Sequence, residues 1–155
     1  ENDFNIVFGA GENGIMGAVA QSGIQNGAKT TGIIPDFLLK KDILDSTHSK
    51  IFNSNLIKTK TMHQRKKLMY DSSDGFLVLP GGIGTLDECF EVLTWCQLNQ
   101  IKNKNVGIIN FKGYWDPLIN LITHIIKEEY MKPNNLNYFE EIKGINDLKI
   151  FLKNI

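Results

Sequence analysis

Residues 76–88 read FLVLPGGIGTLDE, and this stretch decides the fold. Four apolar residues end at Pro80, three of the next four residues are glycines, and a helical pattern follows that includes Asp87 and Glu88. A strand that leads through a glycine loop into a helix presents backbone N–H groups that bind anions such as phosphate. Because two carboxylates in a first helical turn would repel a bare phosphate, the pattern indicates a site that holds a phosphorylated sugar and does chemistry on it.

The composition is typical of one globular domain. The 155 residues are 42% apolar and 22% charged, and a chain of this length buries a sizeable core. A net charge of zero gives no support for nucleic acid or a membrane surface as a partner. No apolar run reaches the roughly 18 residues of a membrane span, and no signal-peptide pattern opens the sequence. We therefore expect a cytoplasmic protein.

The cysteines and histidines indicate neither a disulfide nor a metal site. Cys89 and Cys96 lie in one predicted helix, roughly 10 Å apart by helical rise, which is too far for them to bridge each other. The three histidines do not have the spacing of zinc ligands. We expect no structural metal and no cofactor.

Strand and helix patterns alternate along the chain. The predicted strands are Asn5–Gly9, Lys29–Ile34, Leu56–Thr61, Gly75–Leu79 and Asn105–Asn110, the fourth of them buried. The predicted helices are Gly14–Asn26, a weak turn over Phe37–Leu44, Met62–Ser72, Leu86–Gln100, Trp115–Glu129 and Ile145–Lys153. The stretches Asp45–Ser54 and Pro133–Tyr138 are predicted loops.

This alternation predicts the α/β class, with a Rossmann-like parallel sheet covered by helices on both faces. In such sheets ligands bind beyond the carboxyl ends of the strands. Two glycine loops, Gly9–Gly14 and Gly81–Gly84, and the start of the helix that carries Arg65 fall there. We expect them to line one crevice.

The first glycine loop, Gly9–Gly14, matches G-x-G-x-x-G between a strand and a helix, with Asp36 just after the next strand. This is the outline of a dinucleotide fingerprint. Glu12 would place a carboxylate in the pyrophosphate turn, and Pro35 disturbs the end of the strand before Asp36. The alternative is a tight turn that packs helix on strand, which is compatible with contact to a mononucleotide.

The second loop also has a purely structural interpretation. Thr85 and Glu88 have the spacing of a capping box, in which Thr85 caps the helix and Glu88 bonds back to its first N–H. A cap requires none of the upstream glycines, whereas glycines let a ligand approach the backbone closely, so we favour a ligand site. Glu91 lies one turn beyond Glu88 on the same helix face and is either part of the site or a solvated charge.

Arg65 is the only arginine among 17 cationic residues. A planar guanidinium holds an oxyanion with two parallel donors, which lysine cannot do, so we favour a functional role over chance usage. Arg65 and Lys66 lie near a predicted helix start, where the helix dipole disfavours cations, and this indicates an anionic partner nearby. We predict that His63 is structural.

Several segments resemble, in order, the LOG ("lonely guy") family. They are VFGAG and GIMG at 7–11 and 14–17, MHQRK at 62–66, PGGIGTLDE at 80–88, WCQL at 95–98, and Asn110 with GYW at 113–115. The resemblance implies a Rossmann-like, usually dimeric protein with cytokinin riboside 5′-monophosphate phosphoribohydrolase activity, which also cleaves AMP. Many members are labelled "possible lysine decarboxylase"; this chain is short for a typical pyridoxal-phosphate decarboxylase and lacks the Ser-x-His-Lys run.

The resemblance also implies the residues of the site. Arg65 and Glu88 are the catalytic pair. The residues that it places around a nucleotide monophosphate are Gly81, Gly82, Gly84, Thr85, Lys66, Asp87, Thr94, Gly11 and Met62. It implies no metal, no cofactor and a homodimer.

The sequence departs from the family at two places. Family members begin with another strand, a Gly-Ser-Ser-type loop and a helix, and that strand is central to their sheet. We expect residues 1–155 to be a single nucleotide-binding domain from which this initial strand–loop–helix segment is absent. Ala10 stands where the family usually has glycine.

Cleavage of a ribose–base C–N bond passes through an oxocarbenium-like state, which a nearby carboxylate stabilises while it orients water. We assign that role to Glu88 and phosphate binding to the glycine loop, and Arg65 either positions Glu88 or contacts the phosphate. Two alternatives are a non-catalytic nucleotide- or phosphate-binding carrier and a dinucleotide-dependent oxidoreductase.

Overall fold

The computed structural model describes residues 4–42, 55–100 and 104–155. The chain divides into two compact units, residues 1–73 and 74–155. Each unit holds a parallel sheet with helices packed on it, so the predicted α/β, Rossmann-like class is confirmed.

The first unit alternates strands and helices. Its elements are β1 (Ile6–Phe8), α1 (Gly14–Gln25), β2 (Thr30–Pro35), α2 (Asp36–Asp42), β3 (Leu56–Thr59) and α3 (Met62–Asp71). The strands pair in parallel in the order β1-β2-β3, with Phe8 beside Gly32 and Pro35 beside Thr59. Parallel pairing places the carboxyl ends of all three strands at one edge of this sheet.

The second unit repeats the pattern. Its elements are β4 (Gly75–Val78), α4 (Ile83–Gln97), β5 (Asn105–Ile109), a 3₁₀ turn (Phe111–Gly113), α5 (Asp116–Lys127), a 3₁₀ helix (Pro133–Tyr138), β6 (Glu140–Ile142) and α6 (Ile145–Lys153). The strands pair in parallel in the order β4-β5-β6. A core of buried side chains lies between sheet and helices: Val78, Cys89, Val106, Ile108, Trp115, Leu118 and Ile122.

All predicted strands and helices are present in the described residues, with some ends shifted by one to three residues and with the following main differences. The strand β6 was not predicted, because two of its three residues are glutamates, which rarely form strands. The predicted loop Pro133–Tyr138 is a 3₁₀ helix, and α4 begins at Ile83 rather than Leu86. The predicted loop Asp45–Ser54 lies outside the described residues.

The strand β4 is less buried than predicted. Val78 is buried and Phe76 packs against the same core, whereas Leu77 keeps 38% of its surface exposed. Side chains alternate between the faces of a strand, so Leu77 points to the opposite face, which the described residues of this unit cover incompletely.

No helix within residues 4–42, 55–100 and 104–155 is both long and apolar enough to cross a membrane.

Candidate functional site

A reciprocal cap fixes the start of α3 in the first unit. The Thr61 hydroxyl accepts a hydrogen bond from the Gln64 backbone N–H at 3.2 Å, and the Gln64 side-chain oxygen accepts one from the Lys60 N–H at 3.0 Å. This arrangement resembles a capping box. It fixes the start of α3, and Arg65 lies at the end of the first helical turn.

The Arg65 guanidinium is buried and held by two backbone carbonyls. Its residue is only 7% exposed. Its Nε donates to the Ile33 carbonyl at 3.1 Å and its Nη2 to the Gly9 carbonyl at 3.3 Å. Gly9 follows β1 and Ile33 lies in β2, so the planar group bridges neighbouring strands close to their carboxyl ends. A lysine ammonium has no fork that would span both carbonyls, which explains the use of arginine here.

The loop Gly9–Gly14 is packed tightly around this arginine. A Cβ added at Gly9 would overlap the guanidinium, so glycine is required for its close approach. Ala10 is buried and adopts a left-handed φ of 62°, a conformation that favours glycine. Gly17 in α1 passes so close to the Glu12 carbonyl that a Cβ would overlap it. These contacts match the tight packing turn that we weighed against a dinucleotide fingerprint.

The other residues predicted for this half of the site lie on the same two segments. Met62 and Lys66 are half-buried on α3, and Gly11 is half-buried in the loop beside the Met16 side chain. One oxygen of Glu12, Oε2, is buried with no hydrogen-bond partner among the described residues.

The capping box at Thr85, which we weighed as the alternative to a ligand site, is not formed with Thr85 as the N-cap. Gly82 is the N-cap of α4, with extended backbone angles of −101° and −155°, and its carbonyl accepts a 3.1 Å hydrogen bond from the Leu86 N–H. Thr85 therefore lies inside the first turn, with its hydroxyl packed against Gly81. Asp87 and Glu88 move into the second turn, which weakens the repulsion between them and an anion at the helix start.

Neither packing nor a left-handed backbone requires glycine at two of the three loop positions. A Cβ at Gly82 or Gly84 would contact no atom of the described residues within 4 Å, and neither residue has a left-handed φ. At Gly81, by contrast, a Cβ would overlap the Thr85 side chain. Within the described parts of the chain, the space beside Gly82 and Gly84 is open and the N-cap of α4 makes no side-chain hydrogen bond. Such a surface accepts an anion at the backbone N–H groups of the first turn.

The carboxylates of α4 lie just beyond this loop. Glu88 and Glu91 are half-buried one turn apart, and Asp87 is exposed. Thr94 is exposed two turns further, and its hydroxyl donates to the Phe90 carbonyl at 2.7 Å. The helix thus brings Glu88 within two turns of the open glycines.

The predicted site residues fall into two groups. Arg65, Lys66, Met62 and Gly11 belong to the first unit, and the glycine loop with the α4 residues belongs to the second. That Arg65 and Glu88 act as a pair, and that both loops line one crevice, remain predictions.

The glycine loop is also contacted by Tyr114, a residue for which the sequence predicted no role in the site. The Tyr114 hydroxyl donates to the Gly81 carbonyl at 2.8 Å. Tyr114 follows β5, the neighbour of β4, so both segments leave the same edge of the sheet. That shared edge is the signal that would have indicated the contact.

The two cysteines are unsuited to catalysis. Burial raises the pKa of the Cys89 thiol to about 11, and burial also raises the pKa of Cys96. Both thiols therefore stay protonated near neutral pH, whereas a nucleophilic cysteine needs its thiolate. Within the described parts of the chain, no group of three or more His, Cys, Asp or Glu residues could hold a metal ion.

The family match and the similar proteins all point to one protein family. Residues 16–149 match a family described as "Possible lysine decarboxylase". The chain is 37% identical over 144 residues to cytokinin riboside 5′-monophosphate phosphoribohydrolase LOG5 of Arabidopsis thaliana, covering 93% of the chain and 60% of that relative. It is 37% identical over 131 residues to LOG1 of the same plant, covering 84% and 59%. It is also 37% identical over 132 residues to the probable enzyme LOGL2 of Oryza sativa subsp. japonica, covering 85% and 52%. The chain thus spans between half and three-fifths of the length of these relatives.

Proposed function

This chain belongs to the LOG family, the family described as "Possible lysine decarboxylase", and on that premise we propose that the protein is a phosphoribohydrolase. It hydrolyses the ribose–base bond of adenosine 5′-monophosphate, with or without an N6 substituent. The C–N bond breaks, a water oxygen binds the anomeric carbon, and a proton goes to the base. The products are free base and ribose 5-phosphate.

The observation that carries this proposal is the open glycine loop at the start of α4. Gly82 and Gly84 leave space that neither packing nor a left-handed backbone accounts for, and among the described residues α4 begins there without a side-chain cap. In our proposal the 5′-phosphate binds there. A remote phosphate supplies binding energy that orients the sugar for reaction.

Glu88 is the catalytic residue in this proposal. It is half-buried in the second turn of α4, on the helix whose first turn binds the phosphate. A ribose 5-phosphate group extends over a few ångströms, which is about the rise of one helical turn. The carboxylate of Glu88 stabilises the developing positive charge of the sugar and orients the attacking water.

Arg65 serves the same reaction from the first unit. Its two carbonyl contacts fix the plane of the guanidinium, so the cation is oriented before substrate arrives. The family resemblance implies that Arg65 forms a catalytic pair with Glu88, and in our proposal the guanidinium either positions Glu88 or contacts the phosphate. Lys66, Asp87, Thr94, Gly11 and Met62 are further substrate contacts in this proposal.

We also propose a cytoplasmic homodimer in which the described units belong to one nucleotide-binding domain. Apolar side chains exposed on or next to α4 support an interface between copies: Ile83 is 81%, Phe90 39% and Leu98 60% exposed. Light scattering on the full-length protein gives the dimer mass if this is correct and the monomer mass if it is not.

The reaction is tested by product analysis. The full-length protein is incubated with AMP or its N6-isopentenyl analogue, and products are identified by mass spectrometry. We expect free base and ribose 5-phosphate in equal amounts, and little product from adenosine, which lacks the phosphate. Intact nucleotide together with measurable AMP binding would instead identify a carrier, and an NADH fluorescence titration would reveal an oxidoreductase.

A further inference from the structure

The Gly81–Gly82 peptide is the point at which the glycine loop turns into α4. Glycine on both sides of a peptide bond leaves its plane free to rotate, because neither residue has a Cβ to restrict it. A trans peptide points its C=O and its N–H in opposite directions. The orientation of the Gly81 carbonyl therefore also fixes where the Gly82 N–H points.

One side chain from outside the loop holds that carbonyl. The Tyr114 hydroxyl donates to the Gly81 oxygen at 2.8 Å. In this orientation the carbonyl is turned toward Tyr114, and the N–H of Gly82 points the other way. Rotation of the peptide would reverse this and present a carbonyl oxygen where the N–H had been, and such an oxygen repels an anion.

Tyr114 is itself held in place by its neighbours. The buried Asn110 accepts a 2.7 Å hydrogen bond from the Trp115 N–H and donates to Asp116 at 2.7 Å and to Glu141 at 2.6 Å. Trp115 is a core residue that is 5% exposed, and its ring meets the Tyr114 ring edge-on, with centroids 4.8 Å apart. The turn between β5 and α5 is thus anchored on both sides of Tyr114.

We propose that Tyr114 is a positioning residue that sets the orientation of the Gly81–Gly82 peptide and thereby prepares the loop for the substrate phosphate. This inference rests on the proposed function, specifically on phosphate binding by the loop. Tyr114 acts through the loop backbone and has no catalytic role of its own.

The test compares Tyr114→Phe with Tyr130→Phe in the full-length protein. The first substitution removes only the hydroxyl that holds Gly81. The second removes a hydroxyl from a tyrosine that is 86% exposed and serves as the matched control. Affinity for ribose 5-phosphate is measured by calorimetry, and kcat and KM are measured with AMP and with adenosine.

We expect Tyr114→Phe to weaken ribose 5-phosphate binding by about 3- to 10-fold, the range for one hydrogen bond, and to raise KM for AMP similarly with kcat little changed. Activity toward adenosine, measured at high enzyme concentration, and the melting temperature should match those of Tyr130→Phe. Ribose 5-phosphate affinity within twofold of the control overturns the proposal. So does an equal loss toward AMP and adenosine, because that indicates a general structural role.

The two proposals fail in different ways. If the wild-type protein binds ribose 5-phosphate but releases no base, the proposed hydrolysis is wrong, and the affinities of the two variants still decide the role of Tyr114. If the wild-type protein releases base from AMP but does not bind ribose 5-phosphate, the proposed hydrolysis stands and the positioning proposal is overturned.

Discussion

Replacing Gly84 with alanine separates the stability of α4 from the binding of a ligand. Gly84 lies inside the first turn of the helix, where alanine is the more stabilising residue, and the added methyl group contacts no atom of the described residues within 4 Å. We expect Gly84→Ala to raise the free energy of unfolding by about 0.5–1 kcal/mol. For a domain of this size the melting temperature then rises by about 1–4 °C.

The same methyl group occupies the space that we assign to the substrate phosphate. Displacement of a reacting group by about 1 Å costs up to 100-fold in rate, so we expect kcat/KM for AMP to fall by about 10-fold or more. Gly144→Ala is the control, because Gly144 also has open space at the start of a helix, α6. The reasoning is refuted if Gly84→Ala keeps kcat/KM within twofold of wild type.

Three further predictions concern stability, each measured by urea unfolding. Gly9→Ala displaces the Arg65 guanidinium and should lower the free energy of unfolding by about 2 kcal/mol or more; a change below 0.5 kcal/mol would contradict the packing that we describe. Ala10→Gly relieves roughly 1 kcal/mol of left-handed strain but loses about 0.8 kcal/mol of buried methyl and some chain entropy, so a change beyond about 1.5 kcal/mol would be unexpected. Between pH 9 and 11 the native state keeps the Cys89 proton that the unfolded chain releases, so stability falls as pH rises, by on the order of 2 kcal/mol; Cys89→Ala should flatten this fall, and an unchanged profile would argue against it.

Sequence signals predicted a helix best where the side chain that caps it lies within a few residues of the helix start. Both bounds of α6 were predicted correctly. The Asp147 carboxylate accepts hydrogen bonds from the N–H groups of Lys143 and Gly144, and Phe151 is fully buried one turn later. The capping residue and the helical spacing of the apolar residues indicate the same helix, so its bounds can be predicted from the sequence alone.

The same kind of signal was misleading at α4. Thr85 and Glu88 have the spacing of a capping box, yet Gly82 caps the helix three residues earlier. Glycine is itself a favourable N-cap, and a motif search that starts from Thr85 does not weigh it. The strand β6 was missed for a related reason, since Glu140 and Glu141 form a strand only because β5 lies beside them.

The contacts that shape the candidate site depend on residues distant in sequence. Arg65 was recognised as unusual, but its hydrogen bond to the Gly9 carbonyl joins residues 56 positions apart. The Tyr114 contact to Gly81 spans 33 positions. Composition and spacing identify such residues as candidates, whereas their partners follow only from the three-dimensional fold.

The most direct test of the central claim is the rate of base release by Glu88→Gln. The substitution keeps the size of the side chain and removes the charge that stabilises the oxocarbenium-like state. Glu128→Gln, which removes an exposed carboxylate next to α5, is the matched control. With AMP as substrate we predict that kcat of Glu88→Gln falls by about 100-fold or more, while ribose 5-phosphate affinity changes little and the control retains wild-type activity. A kcat within threefold of wild type would contradict the assignment of Glu88 as the catalytic carboxylate.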